Sequence, residues 1–512
     1  MEYVIGIDIG TSATKTLLMD SDGEITAQAS REYPLYQPGN GWAEQEPEDW
    51  SRAVLETLKE VTEKSGVGEE EIKGIGFSGQ MHGLVMLDGA GKPLRRSIIW
   101  CDQRSSAQVE EMLGLMPLEK WMEITANPPI AAWTAAKILW VKENEPELYR
   151  KCRHILLPKD YIRYILTGEF ATDVSDASGM QLLDVKNRRW SQEVLKTLDI
   201  DPALLGKVYE SQEVTGTLLP EIAKKCGLAP GVKVVAGAAD NAAAAVGTGV
   251  VLDKEAFTTI GTSAIVYTHL DHFTRIPDGG LHVCCCAVPG GYFTMGGPQA
   301  AGLSLEWFKD AFCRDMEEEA ERAGTDIYTL INEAAAGIEP GSGRLIYLPY
   351  LMGERTPHMN PKCRGAFVGL NTIHGKAHML RAIMEGITYS LADCNNILKG
   401  LGNTVTSMRV CGGGCKSRVW RQIMADLYEC EIRTLKQEEG PAYGAAILAG
   451  VGAGVFDNVV DTCRKLISTS LAETPIPREV RRYRNYHRLY DRLYEDMKTD
   501  FGLLYDLENL EE

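Results

Sequence analysis

The chain has 512 residues, 53 basic and 71 acidic side chains, and a net charge of −18. That length holds about three domains or two large ones, and 44% hydrophobic with 24% charged residues excludes a disordered chain. The acidic balance speaks against non-specific nucleic-acid binding, so a polyanionic ligand needs positive potential supplied locally.

Residues 3–9 alternate and are rich in Ile and Val, and they run into Gly10-Thr11-Ser12. Leu17-Leu18-Met19 and the Asp22-Gly23 turn signal follow, which predicts strand, tight turn, strand and a hairpin into a third strand. Pro47 to Lys64 reads as a helix, with Trp50, Val54, Leu58 and Val61 on one face and Gly66 past its end. Residues 73–77 read as a buried strand delivering the loop Ser78-Gly79-Gln80-Met81-His82-Gly83. Strand–helix alternation of this kind indicates an α/β architecture.

Ile-Gly-Thr-Ser-Ala occurs twice, ending the stretch 7–13 and again at 260–264. Both copies open a half-chain in similar strand–turn–strand context. The expected organisation is therefore two related domains, 1–248 and 249–512. Each turn has the parts of a phosphate cradle: glycine lets backbone N–H groups approach an anion, and Thr and Ser add hydroxyls. Asp8, at the end of a buried strand, needs a cation, a donor or water; a Mg²⁺ ion escorting a nucleotide would meet that need. A capped structural turn is the plainer alternative.

Asp240-Asn241 follows the small apolar strand Val234–Gly237 and precedes an Ala-rich run at 242–245. A carboxylate so placed is either a helix cap or a fixed general base for an alcohol. Alcohol phosphorylation needs such a base together with neutralisation of the γ-phosphate. Cys411-Gly412-Gly413-Gly414 lies between a strand and a helix and can admit a nucleoside. Gly440-Pro441-Ala442-Tyr443-Gly444 opens another small-residue helix, and neither segment is a Walker A or a dinucleotide fingerprint. His82 is as readily structural as sugar-binding. Asp102 and Arg104 read as a structural pair, and Glu354-Arg355 stays ambiguous.

Thirteen cysteines at irregular spacing, without a Cys-x-x-Cys pair, read as reduced thiols of a cytoplasmic protein. Cys284-Cys285-Cys286 reads as a buried strand. The start of the chain has no signal-peptide pattern, and the best apolar stretch, 232–252, is broken by Lys233, Asp240 and Asn241. Residues 478–512 read as an amphipathic helix with Tyr483, Tyr486, Leu489, Tyr490, Leu493 and Tyr494 as its apolar stripe and its arginines solvated. The stripe packs on the body or on a second subunit, leaving a homodimer open. Neither a membrane nor a nucleic-acid partner is expected.

In order along the chain, IGIDIGTSATKT at 5, GWAEQEPEDW at 41, GFSGQMHG at 76, LLPKDYIRYILTG at 156, GAADNAAAAVG at 237, TIGTSA at 259, LPYLMGERTPH at 348, VCGGGCKSRVWRQIMAD at 410 and GPAYGAA at 440 resemble the FGGY family of carbohydrate kinases, and most closely its pentulose-kinase branch. The resemblance covers nearly the whole chain. It implies an actin-like, ribonuclease H-like fold of two domains around a cleft, and ATP- and Mg²⁺-dependent phosphorylation of a sugar hydroxyl, D-xylulose first and another sugar or polyol second. It also implies that Asp8 acts on metal and phosphates, and that Gly10, Thr11, Ser12, Gly261 and Thr262 bind phosphate. Asp240 is implied as the base and Asn241 as a sugar ligand, with Met81 and His82 bordering the sugar and Gly412, Gly413 and Cys415 near the nucleoside. Cys101, Ala136, Ala238-Ala239, Cys284–Cys286 and Asn127–Ile130 depart from the usual pattern of that branch. Readings from other classes are an actin-like ATPase that drives conformational change and an iron–sulfur activator.

Overall fold

The computed structural model describes residues 1–276, 279–437 and 439–507. The chain forms two compact units. The first comprises Met1–Asp253, His269–Phe293 and Glu439–Ser468; the second comprises Lys254–Thr268, Thr294–Glu438 and Thr469–Glu512. These units and the sequence halves 1–248 and 249–512 are different partitions of the chain.

In the first unit the sheet runs Val214–Thr217, Lys233–Val235, Ile72–Gly79, Tyr3–Ile9, Ala13–Asp20, Ile25–Glu32. The opening hairpin is antiparallel, with Asp8 opposite Lys15 and Ile9 opposite Thr14. Tyr3–Ile9 and Lys233–Val235 both run parallel to Ile72–Gly79. The helix Pro47–Ser65 follows the expected phase: Trp50, Val54, Leu58 and Val61 are buried, and Gly66 stops it in the left-handed conformation at φ 65°.

The segment from Gly440 to Ala453 is helical and belongs to this first unit. The reason is steric. A Cβ on Gly6 would lie 1.9 Å from the Ala442 carbonyl oxygen, and one on Gly76 would lie 2.1 Å from that of Ala445. Glycine on adjacent strands therefore lets the helix backbone lie directly on the sheet. The Gly444 backbone likewise touches the helix Asp240–Thr248, where a Cβ would meet the Ala243 carbonyl oxygen at 1.9 Å. The Gly440–Gly444 cluster is thus a packing device.

The second unit repeats the pattern. Ala264–Leu270, Glu255–Ile260, Ser407–Cys411, Glu431–Leu435 and Thr469–Glu473 are consecutive neighbours. The first pair is antiparallel, the next two pairings are parallel, and the last is antiparallel. The first unit shows the same sequence of pairings from Ala13–Asp20 to Val214–Thr217. The repeated pentapeptide therefore marks a repeated sheet, which five residues alone could only suggest.

The C-terminal helix spans Pro477–Leu507, and residues 508–512 of the expected helix lie outside the described residues. Its buried positions are Val480, Tyr483, His487, Tyr490, Tyr494 and Phe501. Leu489 is exposed at 47% and is no part of the stripe, because helical phase puts His487 there in its place. The arginines of this helix lie on its solvent side, and three of them make ion pairs there: Arg484 with Glu429, Arg482 with Glu339 and Arg492 with Asp496. All thirteen cysteines are free thiols, and Cys284, Cys285 and Cys286 are buried. Among the described residues no helix is long and apolar enough to cross a membrane.

Candidate active site

Strand register brings two acids together in the first unit. Asp8 pairs with Ser78 on the neighbouring parallel strand. Ser78 in turn pairs with Ala238 of the short strand Ala238–Ala239. Asp240 follows at once and begins the helix Asp240–Thr248. Asp8 and Asp240 therefore lie at the carboxyl ends of parallel strands, where open α/β sheets gather their ligand groups.

The two carboxylates feel each other. Burial, and then the charge of Asp8, push the Asp240 carboxyl up to about 7. Backbone and side-chain hydrogen bonds from Asn241 oppose that rise (N to Oδ1 2.6 Å, Nδ2 to Oδ1 2.9 Å). Burial also raises Asp8, against a hydrogen bond from the Ser78 hydroxyl (2.7 Å) and the charge of Lys15. Lys15 is itself paired with Glu439.

The turn beyond Asp8 is held from behind. Gly10 N donates to the Ala13 carbonyl at 3.0 Å. The Gly10 carbonyl accepts from the Tyr33 hydroxyl, and that of Thr11 from Gln45 Nε2. The Ser12 carbonyl accepts from Tyr33 N, and the Thr11 hydroxyl from Trp100 Nε1 at 2.9 Å. With its carbonyls engaged by the body, the turn is rigid and poor in free negative dipole, which suits an anion. Trp100 thereby braces Thr11.

Met81 and His82 are buried in the same unit. His82 has φ 66°, its ring lies flat on Trp133 at 4.7 Å, and its Nδ1 donates to the Gly179 carbonyl at 2.8 Å. Asn241 Nδ2 approaches the Met81 sulfur at 3.9 Å, so Met81, Asn241 and Asp240 form one wall. Lys137 lies beneath, fully buried, with Nζ donating to the carbonyls of His82 (2.8 Å) and Ala132 (2.6 Å). Burial drives its ammonium down to about 7.

A buried charge cluster supports this wall. Lys159 Nζ contacts Asp160 at 2.7 Å, Asp173 at 2.8 Å and Asp176 at 3.5 Å, with all four side chains buried. Burial holds the Asp176 carboxyl well above the usual range, and the charge of Asp240 adds to that. Neither Asp176 carboxylate oxygen has a hydrogen-bond partner. Sequence reasoning missed Trp133, Lys137, Lys159 and Asp176, because isolated charges inside a helical or loop pattern look solvated. Asp102 and Arg104 form the expected structural pair, buried at 2.7 Å.

The second unit holds its own cleft of about 510 Å³, lined by Gly261 and Thr262 together with Gly302, Tyr328, Gly413 and Lys416. The Gly261 turn closes with Gly261 N to the Ser263 carbonyl at 2.9 Å. The helix Gly302–Phe312 begins against it: Gly302 N reaches the Gly261 carbonyl at 2.9 Å and Leu303 N the Thr262 carbonyl at 3.1 Å. A Cβ on Gly302 would sit 2.3 Å from the Gly261 carbonyl oxygen, so only glycine allows this approach. The bonds of this turn engage the Gly261, Thr262 and Ser263 carbonyls, and Lys416 adds positive charge to the cleft lining, a setting that suits an anion within an acidic protein. Tyr328, 40% exposed, stands at the cleft with its ring available to a planar group.

Of the expected nucleoside contacts, Gly413 lines this cleft while Cys415 is buried beneath it, its thiol toward the Thr258 carbonyl. Gly412, at φ 86°, makes the turn that admits the others; a Cβ there would meet the Ile260 carbonyl oxygen at 2.7 Å. Glu306, Tyr328, Asn332 and Lys416 are lining residues that the sequence did not disclose.

Two family models match the chain: the N-terminal domain of the FGGY family of carbohydrate kinases over residues 3–247, and the C-terminal domain of the same family over residues 256–453. The chain belongs to the FGGY family of carbohydrate kinases. A xylulose kinase of Bacillus subtilis is 38% identical over 484 residues, covering 94% of this chain and 95% of the relative. Among solved structures, ligand-bound xylulose kinase from Lactobacillus acidophilus superposes with a TM-score of 0.91 at 28% identity, over 98% of this chain and 100% of that one. Gluconate kinase from the same organism superposes with a TM-score of 0.92 at 28% identity, over 98% and 99%. The fold is the two-domain actin-like ATPase fold implied by the sequence resemblance.

Proposed function

We propose that this carbohydrate kinase transfers the γ-phosphoryl group of ATP to a terminal hydroxyl of D-xylulose, giving D-xylulose 5-phosphate. The observation that carries the reading is the Asp8–Asp240 pair: two partly buried acids, one raised by burial and by the other's charge, at strand ends beside Met81, His82 and Asn241. The relatives named for xylulose kinase support the choice of sugar.

The sugar sits against Met81, His82 and Asn241 with one hydroxyl at the Asp240 carboxylate. Asp240 takes the hydroxyl proton as the oxygen attacks phosphorus. Its high affinity for a proton makes it a stronger base than an exposed aspartate. The nucleotide occupies the cleft of the second unit, with phosphates at Gly261, Thr262 and the start of the helix Gly302–Phe312, and the base toward Tyr328. Gly10, Thr11 and Ser12 receive the transferring phosphate. Two partly buried carboxylates without a salt-bridged cation are a hard-oxygen donor set of the kind Mg²⁺ takes. The ion would be held at Asp8 and supplies neutralisation of the phosphate charge. The setting is cytoplasmic.

A coupled ADP-release screen across pentuloses, hexuloses, aldonates and polyols tests this reading. D-Xylulose should give the highest kcat/KM. A maximum with gluconate, the substrate class in the name of the other close structural neighbour, would replace the sugar but keep the chemistry. No sugar-dependent ADP release would end the kinase reading.

A further inference from the structure

A second cluster of ligating groups lies in the second unit and has no part in the reaction above. His487 and Asp491 stand one helical turn apart on the C-terminal helix, so both project from one face. Asp393, on the long helix Lys376–Gly400, meets them. His487 Nε2 is 2.5 Å from Asp393 Oδ1 and 3.5 Å from Asp491 Oδ1. One ligand atom from each residue lies within 4.8 Å of the other two.

We propose that Asp393, His487 and Asp491 form a binding site for a divalent transition metal of the Zn²⁺, Co²⁺ or Mn²⁺ class, which fastens the C-terminal helix to the long helix. Four features carry this. The donor set, one imidazole nitrogen and two carboxylate oxygens, is the kind those ions take, whereas Ca²⁺ and Mg²⁺ prefer oxygen alone. Bonds of roughly 2.0–2.2 Å place adjacent tetrahedral ligands roughly 3.3 Å apart. The Asp491 contact already has that spacing, and the Asp393 contact needs to open by less than about 1 Å to match it.

The ring is also braced. His487 hydrogen-bonds the backbone of Tyr389, and its ring stacks on the Tyr389 ring at 5.4 Å, which fixes its orientation as an outer partner of a metal ligand does. Finally, a groove of about 260 Å³ opens beside His487 and Asp491, bordered by Asn396, Asp426, Glu429, Arg484 and Arg488. That is room for several waters at about 30 Å³ each to complete a coordination sphere. Of the two arginines at the groove, Arg484 is engaged by both carboxylate oxygens of Glu429, and Arg488 donates to the Arg484 carbonyl and to Asn485 Oδ1.

The test uses the full chain, stripped with a chelator and titrated with Co²⁺ by optical spectroscopy and with Zn²⁺ by calorimetry. An Asp8→Asn background removes the metal position proposed for the nucleotide. One saturable equivalent is expected, with nitrogen- and oxygen-type ligand-field bands and no thiolate charge-transfer band. Asp491→Asn, at a half-exposed position that leaves folding intact, should weaken binding about tenfold or more, and His487→Gln should do at least as much. Metal should raise the thermal midpoint of the Asp8→Asn protein but not of its Asp491→Asn derivative. Absence of saturable binding, thiolate bands, or affinity indifferent to Asp491→Asn would each overturn the site and leave the trio as an ion pair.

Discussion

The same five residues, Ile-Gly-Thr-Ser-Ala, make a turn in both units, and their surroundings divide the labour. At the first turn the preceding residue is Asp8, backed by Ser78 and within reach of the charge of Asp240. At the second turn the corresponding residue is Thr259, and the neighbours are the start of the helix Gly302–Phe312 and the glycines 412–414. One turn has carboxylates beside it; the other has glycines and Lys416 in the lining of its cleft. On the function proposed above, a duplicated backbone cradle would supply a metal- and proton-handling half and a nucleotide-holding half, and the residue two before the glycine, Asp8 or Thr259, separates them.

The largest effect should come from the acid half. Asp240→Asn keeps the size of the side chain and removes the base, so kcat should fall about 10²-fold or more while ATP affinity by calorimetry stays near that of the unaltered protein. Near-normal turnover in that variant would remove Asp240 from its role and with it the contrast between the halves.

Next comes a swap. Thr259→Asp gives the second turn the acid of the first, and its charge would face the triphosphate. KM for ATP should rise about tenfold, since one such repulsion is worth about 1.4 kcal/mol in a partly buried site; KM for the sugar should not change. Equal increases in both constants would indicate general damage instead of a reassigned half. The smallest effect belongs to Tyr328→Ala at the mouth of the nucleotide cleft. Loss of one ring face should raise KM for ATP only a few-fold, as stacking on one face is worth about 1 kcal/mol. An unchanged constant would move the base elsewhere.

Both hairpins and the strand-end position of Asp240 were legible in the sequence, because period-two apolar runs, a glycine turn and a small-residue strand are local patterns. The sheet that repeats around them was not, since strand order is a long-range property. The helix Gly440–Ala453 was legible as a small-residue helix, but its packing partner was not; only the glycines at 6 and 76, hundreds of residues away, reveal what it packs on. Lys159 and Asp176 were passed over because burial turns an ordinary-looking lysine and aspartate into a costly pair, and burial is not written locally. On the C-terminal helix an exposed Leu489 and a buried His487 reversed the order that hydrophobicity alone would assign.

The central claim is that Asp240 works as a base whose proton affinity is set by burial and by Asp8. It is tested most directly by the pH dependence of kcat/KM for the sugar with ATP kept well below its own KM, so that the unliganded protein is the reference state. The base must be ionised, and its raised pKa of about 7 in the unliganded protein places the transition near neutrality. On the acid side the rate should therefore fall tenfold per pH unit below about pH 7, with a plateau above it, and that limb should vanish from the residual activity of Asp240→Asn. A profile flat from about pH 5 to 8, or an acid limb that persists unchanged in Asp240→Asn, would contradict it.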